Sequence, residues 1–408
     1  MSSDPHTYNA RFVARWRRPE VLLYLMAGAV PLSFATWQAL LNNFAIERAA
    51  FTGAEIGILQ SLREVPGFLA FAVVFLLLFV REQRLAFLSL LLLGIGTAVT
   101  GYFPSVLGLY VTTVVMSLGY HYYETLQISL SLQWLDKARA PEVLGRIIAV
   151  GGFTSIVTFG LIWLGSDVLG LGYSWMYLVG GGATVLIAIF CWLSFPIYDE
   201  AVRQHKHMVL RRRYWLYYAL TFMAGARRQI FIVFAGFLMV EKFGYDVSHI
   251  ALLFLLNAGL NIVLAPRIGR LIGRWGERRA LLFEYCGLIV VFTAYAFVEN
   301  AHLAAGLYVV DHVFFALAIA LKTYFQKIAD PRDIASTAGV GFTINHIAAV
   351  VIPAAFGFLW LISPAAVFLA GTAMATVSLL LALNVPERPS PGNEVLLGRI
   401  AAPQPAAE

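Results

Sequence analysis

The sequence predicts an all-α membrane protein, and three observations support this fold class. Of the 408 residues, 60% are hydrophobic and only 13% are charged, whereas about a quarter of the residues in a soluble protein are charged. The apolar residues form blocks of about 20, the length that a helix needs to cross about 30 Å of hydrocarbon. A membrane β-barrel would instead show alternating segments of about ten residues.

The apolar blocks define twelve spans, which are joined by mostly short loops. They cover residues 21–44, 54–80, 85–103, 105–135, 145–164, 173–196, 214–240, 248–266, 280–298, 303–325, 337–361 and 365–385. The longest loop is charged and lies halfway along the chain. We therefore predict five parts: an N-terminal arm (1–20), a six-helix bundle (21–196), a linker (197–213), a second six-helix bundle (214–385) and a disordered tail (386–408).

The basic residues predict how the chain is oriented. Of the 29 Lys and Arg residues, 22 lie in the N-terminal arm, the even-numbered loops and the C-terminal tail, whereas the odd-numbered loops hold only Arg48 and Lys242. This positive-inside bias places both termini in the cytoplasm, and we expect a multi-pass protein of a bacterial inner membrane. The net charge of +6 reflects this orientation, so we expect lipid and no nucleic acid as a partner. The first apolar block lacks a cleavage site, so we expect it to be retained.

The two halves of the chain contain matching segments. "FTGAEIGILQ" follows span one and "FGYDVSHIALL" follows span seven, and the ends of spans four and ten match in the same way. Such matches indicate a parallel internal repeat with a substrate site between the halves.

The loop between spans eight and nine, "GRLIGRWGERR", resembles the conserved cytoplasmic loop of the major facilitator superfamily, G-x-x-x-D-R-x-G-R-R. Gly273 stands in place of the usual Asp, and Glu277 is an extra residue before the basic pair. The glycines permit a tight turn, and the arginines suit acidic groups or helix ends. The resemblance implies a gating role for Gly269, Arg274, Gly276 and Arg278.

The resemblance also implies two six-helix bundles, related by pseudo-twofold symmetry, around a central cavity that opens to each side in turn. The first and fourth helices of each half would line the cavity, and the third and sixth would face lipid. In agreement, spans three, six and twelve contain no charged residue or histidine, and span nine contains only Glu284.

Ionisable residues inside the spans are the candidate functional groups, because such residues are rare and mark transport pathways. Arg227 and Arg228 lie at the centre of span seven. Neighbours on a helix point about 100° apart, so one can face the cavity while the other faces a helix. A guanidinium suits a carboxylate or phosphate. Either arginine can instead form a gate with Glu124, Asp311 or Glu64.

Proton coupling is predicted at two pairs of residues. His121 and Glu124 are spaced i, i+3 on one face of span four, and Asp311 and His312 offer the same chemistry in span ten. Carboxyl and imidazole groups in a cavity can take up and release protons near neutral pH. The alternative for each histidine is a neutral ring that hydrogen bonds to a neighbour.

Other polar and aromatic residues complete the predicted site. Aromatic walls with a few polar groups are typical of small-molecule pockets, although such aromatics also serve as packing. The predicted substrate contacts, besides the two arginines, are Gln38, Tyr120, Tyr123, Asn261 and Asn345. Arg63 and Glu64 of span two are predicted to be a gating pair.

We therefore predict a monomeric, proton-coupled secondary transporter of a small organic solute, which the two arginines suggest is anionic, and no enzyme activity. The sequence has no phosphate-binding loop that would use ATP and no Cys/His spacing typical of a metal site, so we expect no cofactor and no metal. A proton-driven exporter of lipophilic or cationic compounds that uses Glu124 and Asp311 is the alternative, although the family's Gly-Pro antiporter signature is missing from span five. A lipid flippase or a membrane sensor remains a third class.

Overall fold

A computed structural model describes residues 16–135, 140–198, 210–330 and 334–398. Over these residues the chain forms twelve helical spans, as predicted. They are α1 (Pro19–Ala49), α2 (Gly53–Phe68), α3 (Glu82–Thr100), α4 (Val106–Trp134), α5 (Ala140–Trp163), α6 (Tyr173–Ser194), α7 (Trp215–Ile230, continued by Gly236–Glu241), α8 (Val247–Trp275), α9 (Glu277–Ala296), α10 (Ala301–Ala316, continued by Ile319–Ile328), α11 (Ile334–Ile362) and α12 (Pro364–Leu383).

Ten of these spans are long and apolar enough to cross a membrane by length and composition, within the residues described. The other two are α2 and α4. These two spans carry the predicted gating pair, Arg63 and Glu64, and the predicted proton-coupling residues His121 and Glu124. The two spans that carry these polar residues are therefore the ones that do not meet the length and hydropathy expected of a membrane-spanning helix.

The spans pack as two six-helix halves. In the N-terminal half, α3 packs against α4 and α6, and α1 packs against α5 and α6. In the C-terminal half, α9 packs against α12, and α7 packs against α11 and α12. The halves meet where α2 packs against α11 and where α5 packs against α8. The second helix of each half thus packs against the fifth helix of the other, which is the pairing that pseudo-twofold symmetry requires.

The segments that match in the sequence form equivalent helix starts. The side chain of Thr52 caps the start of α2, and the carboxylate of Asp246 caps α8 by accepting a hydrogen bond from the backbone N–H of His249 at 2.9 Å. Each cap follows a residue in the left-handed region, Ala50 at φ 52° and Gly244 at φ 66°. Capping satisfies backbone donors that the first turn of a helix leaves free.

The two halves touch on one side of the membrane. We name the side where α1 begins and α12 ends the terminal face, and the other side the opposite face. Near the opposite face a Cβ atom added to Gly57 would overlap the carbonyl oxygen of Pro353 and the Cα of Gly357. Only glycine therefore permits this approach of α2 to α11. Asn43 also donates a hydrogen bond of 2.7 Å to the carbonyl oxygen of Tyr245 across the halves.

The helices α5 and α8 are in close contact near the opposite face. Phe159 and Phe254 join α5 to α8 near the opposite face, with ring centres 5.3 Å apart. Closer to the terminal face, a Cβ added at Gly152 of α5 or Gly269 of α8 would meet nothing within 4 Å. Beyond the end of α2, the side chain of Phe79 is 86% exposed. The contacts between α5 and α8 described here therefore lie near the opposite face.

Three of the predicted spans are interrupted. Span two was predicted as one helix over 54–80, but α2 ends at Phe68, and only short turns, Ala70–Ala72 and Val73–Leu76, follow. Pro66 lies near this break, and it has no backbone N–H to donate to the hydrogen bonds of the helix. In α7 a π-helical turn, Phe231–Ala235, interrupts the helix. Span ten divides between Ala316 and Ile319.

The prediction of a disordered tail is wrong for residues 386–398. This segment folds against the C-terminal half, where the hydroxyl of Tyr324 donates a 2.6 Å hydrogen bond to the carbonyl oxygen of Glu394. The indole N–H of Trp215 donates to the carbonyl oxygen of Gly398 at 3.2 Å, and Val395 is buried. Residues 399–408, most of the predicted linker and residues 1–15 lie outside the described part of the chain.

Candidate functional site

Arg227 lies inside the C-terminal half rather than in the space between the halves. Its side chain is 2% exposed, and its Nη2 lies 3.8 Å from Oε1 of Glu284, which is equally buried. The guanidinium carbon lies 4.4 Å from the centre of the Tyr285 ring, a cation–π contact. Arg227 and Glu284 also interact electrostatically with the fully buried carboxyl group of Asp311. This position fits the structural role that the sequence left open for one arginine.

Arg228 faces the other way. It is exposed, although it lies in the middle of α7, and it forms no hydrogen bond or salt bridge with any residue that the structure describes. Its charge acts on Glu124 of the N-terminal half and on His312 of α10. A π-helical turn begins three residues later, at Phe231, and such turns are often found at functional sites. Arg228 is therefore a cation presented to the space between the halves.

Asp311 and His312, like the two arginines, are neighbours that occupy different environments. Asp311 is fully buried, and neither of its carboxyl oxygens has a hydrogen bond partner among the described residues. His312 lines a cavity, and its Nδ1 lies 3.0 Å from the carbonyl oxygen of Tyr308. Because that oxygen can only accept, Nδ1 carries the proton and Nε2 keeps its lone pair. Neighbouring residues of a helix point about 100° apart, and this rotation explains why the members of each pair face different environments.

A cavity of about 320 Å³ lies between α1, α5, α8 and α10. It contains three of the predicted site residues, Gln38, Asn261 and His312, together with Asn257. Its other lining residues are mainly apolar: Phe159, Phe254, Ala258, Leu260, Leu264, Val313, Phe315 and Ala316. Such a mixture is typical of a small-molecule site.

Glu124 and Tyr120 lie together on α4 in the N-terminal half. Both are partly exposed, and the hydroxyl of Tyr120 donates a 2.9 Å hydrogen bond to Oε1 of Glu124. The ring of Tyr120 stacks on Phe34 of α1, with ring centres 4.4 Å apart. The i, i+4 spacing and the stacked ring hold the carboxylate in place. Glu124 thus has a fixed position opposite the charge of Arg228.

Two predicted substrate contacts lie elsewhere. Tyr123 is 1% exposed, and its hydroxyl has no hydrogen bond partner among the described residues. It is not among the residues that line the cavity. Asn345 of α11 packs against Gly225 of α7, where a Cβ would overlap its side-chain oxygen. In this conformation Tyr123 and Asn345 pack the helices together rather than line the cavity.

Arg63 and Glu64 form an ion pair on α2, and the pair belongs to a larger cluster. Oε2 of Glu64 lies 3.9 Å from Nε2 of His121 on α4 and 3.7 Å from Nε2 of His346 on α11. His121, predicted to act in proton coupling beside Glu124, therefore faces Glu64 instead. The cluster joins both halves at the α2–α11 contact.

The loop between α8 and α9 links helices within the C-terminal half. Arg278 donates a 3.1 Å hydrogen bond to the carbonyl oxygen of Leu383 at the end of α12. Glu277, the residue that departs from the family pattern, is buried and lies 2.7 Å from Nζ of Lys327. Gly276 has φ 82°, a conformation that favours glycine. The other two predicted gating residues, Gly269 and Arg274, are exposed.

Sequence reasoning missed the role of two residues in these clusters. Glu284 was expected on a lipid-facing helix near its cytoplasmic start, but it faces Arg227 inside the bundle. The only signal was that it is the single charged residue of span nine. His346 was noted as an ionisable residue of span eleven but was not selected as a site residue, and its contact with Glu64 appears only in the structure.

The fold and the cavity define a helical membrane protein of the transporter class, built from two six-helix halves around a polar space. A family model for the Major Facilitator Superfamily matches residues 21–353, so the chain belongs to this superfamily. The family resemblance of the loop is thereby confirmed, and so is the expectation that the chain is not an enzyme.

Solved structures of transporters have the same fold. Two crystal structures of the nucleoside transporter NupG match: a single-site mutant with a TM-score of 0.76 and a second structure with a TM-score of 0.72. Each is 14% identical to this chain. Each match covers 90% of this chain, and the matches cover 99% and 98% of the two NupG chains, respectively. A bacterial homologue of the human lysosomal transporter Spinster, in an inward-facing and occupied conformation, matches with a TM-score of 0.70 and 14% identity, over 91% of this chain and 97% of its own. Among curated proteins, none matches the chain.

Proposed function

We propose that the protein is a proton-coupled secondary transporter of a small organic anion, and that Arg228 contacts the anion. The observation that carries this proposal is the contrast between two neighbouring arginines. Arg227 is buried beside Glu284, whereas Arg228 is exposed in the middle of a membrane helix. A charge at this depth is costly. An anionic solute would give Arg228 the partner that the described residues do not.

The cavity suits a small solute with an anionic and a polar part. Its volume of about 320 Å³ lies at the lower end of the range for small-molecule sites, about 300–1,000 Å³. Gln38, Asn257 and Asn261 supply amide groups that can donate and accept hydrogen bonds. Arg228 acts electrostatically on His312, which lines the same cavity. The guanidinium would bind a carboxylate or phosphate with two parallel hydrogen bonds.

Glu124 supports coupling to protons. Its carboxylate interacts with the charge of Arg228, so an ionised Glu124 competes with an anionic solute for the same cation. Protonation of Glu124 would remove that competition and favour anion binding. Two ligands that favour each other's binding in this way travel together. We therefore infer symport of the anion with a proton.

Alternating access would use the two contacts between the halves. The described conformation has close contacts between the halves near the opposite face, and we infer that it opens toward the terminal face. The positive-inside distribution of Lys and Arg assigns the terminal face to the cytoplasm, so this conformation is inward-facing in our proposal. Separation of α2 from α11 near Gly57 would open the other side.

Export of lipophilic or cationic compounds is the second candidate function. The stacked rings of Phe34 and Tyr120 beside the Glu124 carboxylate favour it, because an aromatic surface next to a negative charge suits a lipophilic cation. In this case Arg228 would repel the solute. The two candidates therefore make opposite predictions for the removal of Arg228.

A thermal-stability screen of the purified protein distinguishes them. The panel contains organic carboxylates, organic phosphates, lipophilic cations and nucleosides, and the last class is included because of the similarity to a nucleoside transporter. We expect an anion to raise the melting temperature of the wild-type protein and of Lys322→Ala, a control at an exposed basic residue of α10, but not that of Arg228→Ala. If only cations stabilise the protein, and Glu124→Gln abolishes this stabilisation, the result supports export of lipophilic or cationic compounds instead.

A further inference from the structure

We propose that Glu64, His121 and His346 form a binding site for a divalent transition-metal ion of the Zn²⁺ class, and that the ion joins the two halves in the described conformation. One oxygen of Glu64 and one nitrogen of each histidine lie within 4.8 Å of one another. The sequence predicted no metal site because its three ligands lie on α2, α4 and α11, far apart along the chain.

The donor set suits zinc. Two imidazole nitrogens and a carboxylate oxygen with an open fourth position form a common zinc site, with bonds of about 2.0–2.2 Å. A tetrahedral site of this size places its ligand atoms about 3.3 Å apart. The distances from Oε2 of Glu64 to Nε2 of His121 and His346 are 3.9 and 3.7 Å. Small side-chain rotations would therefore bring the ligands onto an ion.

The surrounding residues orient the ligands. Nδ1 of His121 lies 3.1 Å from the carbonyl oxygen of Ser117 and 3.0 Å from its Oγ. Because the carbonyl oxygen can only accept, Nδ1 donates the hydrogen bond, and the lone pair of Nε2 points toward Glu64 and His346. A backbone carbonyl that holds the second nitrogen of a metal-binding histidine is the usual outer shell of such sites.

Gly67 provides the space in which the two imidazoles meet. A Cβ atom at this position would overlap the rings of both His121 and His346. The ring centres of these histidines lie 5.6 Å apart. The helix therefore leaves room for both rings at the point where the α2 carboxylate reaches them.

Arg63 should lower the affinity of the site for a metal ion. It pairs with Oε1 of Glu64 and leaves Oε2 for the ion, which fixes the carboxylate but also lowers its negative charge. We therefore expect weaker binding than at a site without a neighbouring cation. The side chains of His121, His346 and Glu64 are buried, with 6%, 8% and 10% of their surface exposed.

The position of the site between the halves predicts its effect. Glu64 and His121 belong to the N-terminal half and His346 belongs to the C-terminal half. An ion bound to all three would oppose any movement that separates α2 from α11. Zn²⁺ should therefore stabilise the described conformation and slow transport, whatever solute the protein carries.

The test uses full-length protein without an affinity tag, titrated with ZnCl₂ and, separately, with MgCl₂. We expect one Zn²⁺ per chain and a higher melting temperature in the wild type and in His302→Ala, a control at an exposed histidine. His346→Ala should lose at least about tenfold in Zn²⁺ affinity, whereas His346→Cys should retain binding through a thiolate, and MgCl₂ should have no effect. CoCl₂ should give the visible absorption of a tetrahedral Co²⁺ site in the wild type. Equal Zn²⁺ binding by the wild type and His346→Ala, or no tightly bound Zn²⁺ in the wild type, would overturn the proposal.

Discussion

Arg227 and Arg228 are consecutive residues of α7 that occupy opposite environments. The guanidinium of Arg227 is 2% exposed and lies 3.8 Å from the Glu284 carboxylate, whereas Arg228 is exposed and interacts electrostatically with Glu124 across the space between the halves. The first arginine belongs to the packing of the C-terminal half. The second is the arginine that we propose contacts the solute.

This difference predicts that the two arginines contribute differently to stability. Arg227→Met would leave Glu284 and Asp311 buried without their cation, and breaking a buried ion pair costs about 3–5 kcal/mol. We expect a clearly lower melting temperature in detergent, measured by intrinsic fluorescence. Arg228→Met, the matched control, should change the melting temperature much less. Equal melting temperatures for the two variants would show that Arg227 is not structural.

Removal of the charge of Glu124 should uncouple transport from protons. Glu124→Gln resembles the protonated carboxyl group and cannot release a proton, so a pH gradient should no longer drive accumulation of the solute in proteoliposomes. Exchange of solute across the membrane should continue. Asp167→Asn, at an exposed carboxylate outside the cavity, should behave as wild type. Accumulation that still follows the pH gradient in Glu124→Gln would assign coupling to another residue.

A larger residue at position 57 should disfavour the described conformation. Gly57→Ala places a methyl group against the carbonyl oxygen of Pro353, so α2 and α11 would move apart near the opposite face. Spin labels at the exposed positions Tyr102 and Phe297, one in each half, should report a longer distance. Gly152→Ala has open space around it and should leave the distance unchanged. A distance that is the same in all three proteins would contradict this closure.

The cap of α8 predicts a small loss of stability in acid. Burial raises the pKa of Asp246, but hydrogen bonds from His249 and Ser248 outweigh it and hold the pKa below its usual range. The stabilisation is therefore present above the usual pKa and disappears as the pH falls through the lowered one. Between pH 5 and pH 3 the melting temperature of the wild type should fall more than that of Asp246→Ala. Parallel curves would show that the cap contributes nothing.

The sequence predicted what depends on local patterns. Apolar blocks located the twelve spans, and the matching segments that contain Thr52 and Asp246 indicated the internal repeat. Helix geometry also predicted that Arg227 and Arg228 point in different directions. It did not determine which one faces the cavity, because the rotation of α7 depends on packing against α9, where Glu284 receives Arg227.

Sites assembled from distant helices could not be predicted. The contact of Glu64 with His121 and His346 depends on how closely α2, α4 and α11 approach, and no local spacing encodes that distance. The tail beyond the last apolar span was predicted to be disordered. Its burial of Val395 and its hydrogen bond from Tyr324 arise only once the C-terminal half has folded.

Protection of a cavity residue by the solute tests the central claim about Arg228 most directly. Asn261→Cys, in a chain that also carries Cys191→Ser and Cys286→Ser, places one thiol on the cavity wall. It is labelled with a water-soluble maleimide, with and without the anion that gives the largest shift in the stability screen. We predict that the anion slows labelling when Arg228 is present and has no effect when the same chain carries Arg228→Ala. Equal protection in both chains would contradict the assignment of Arg228 as the anion contact.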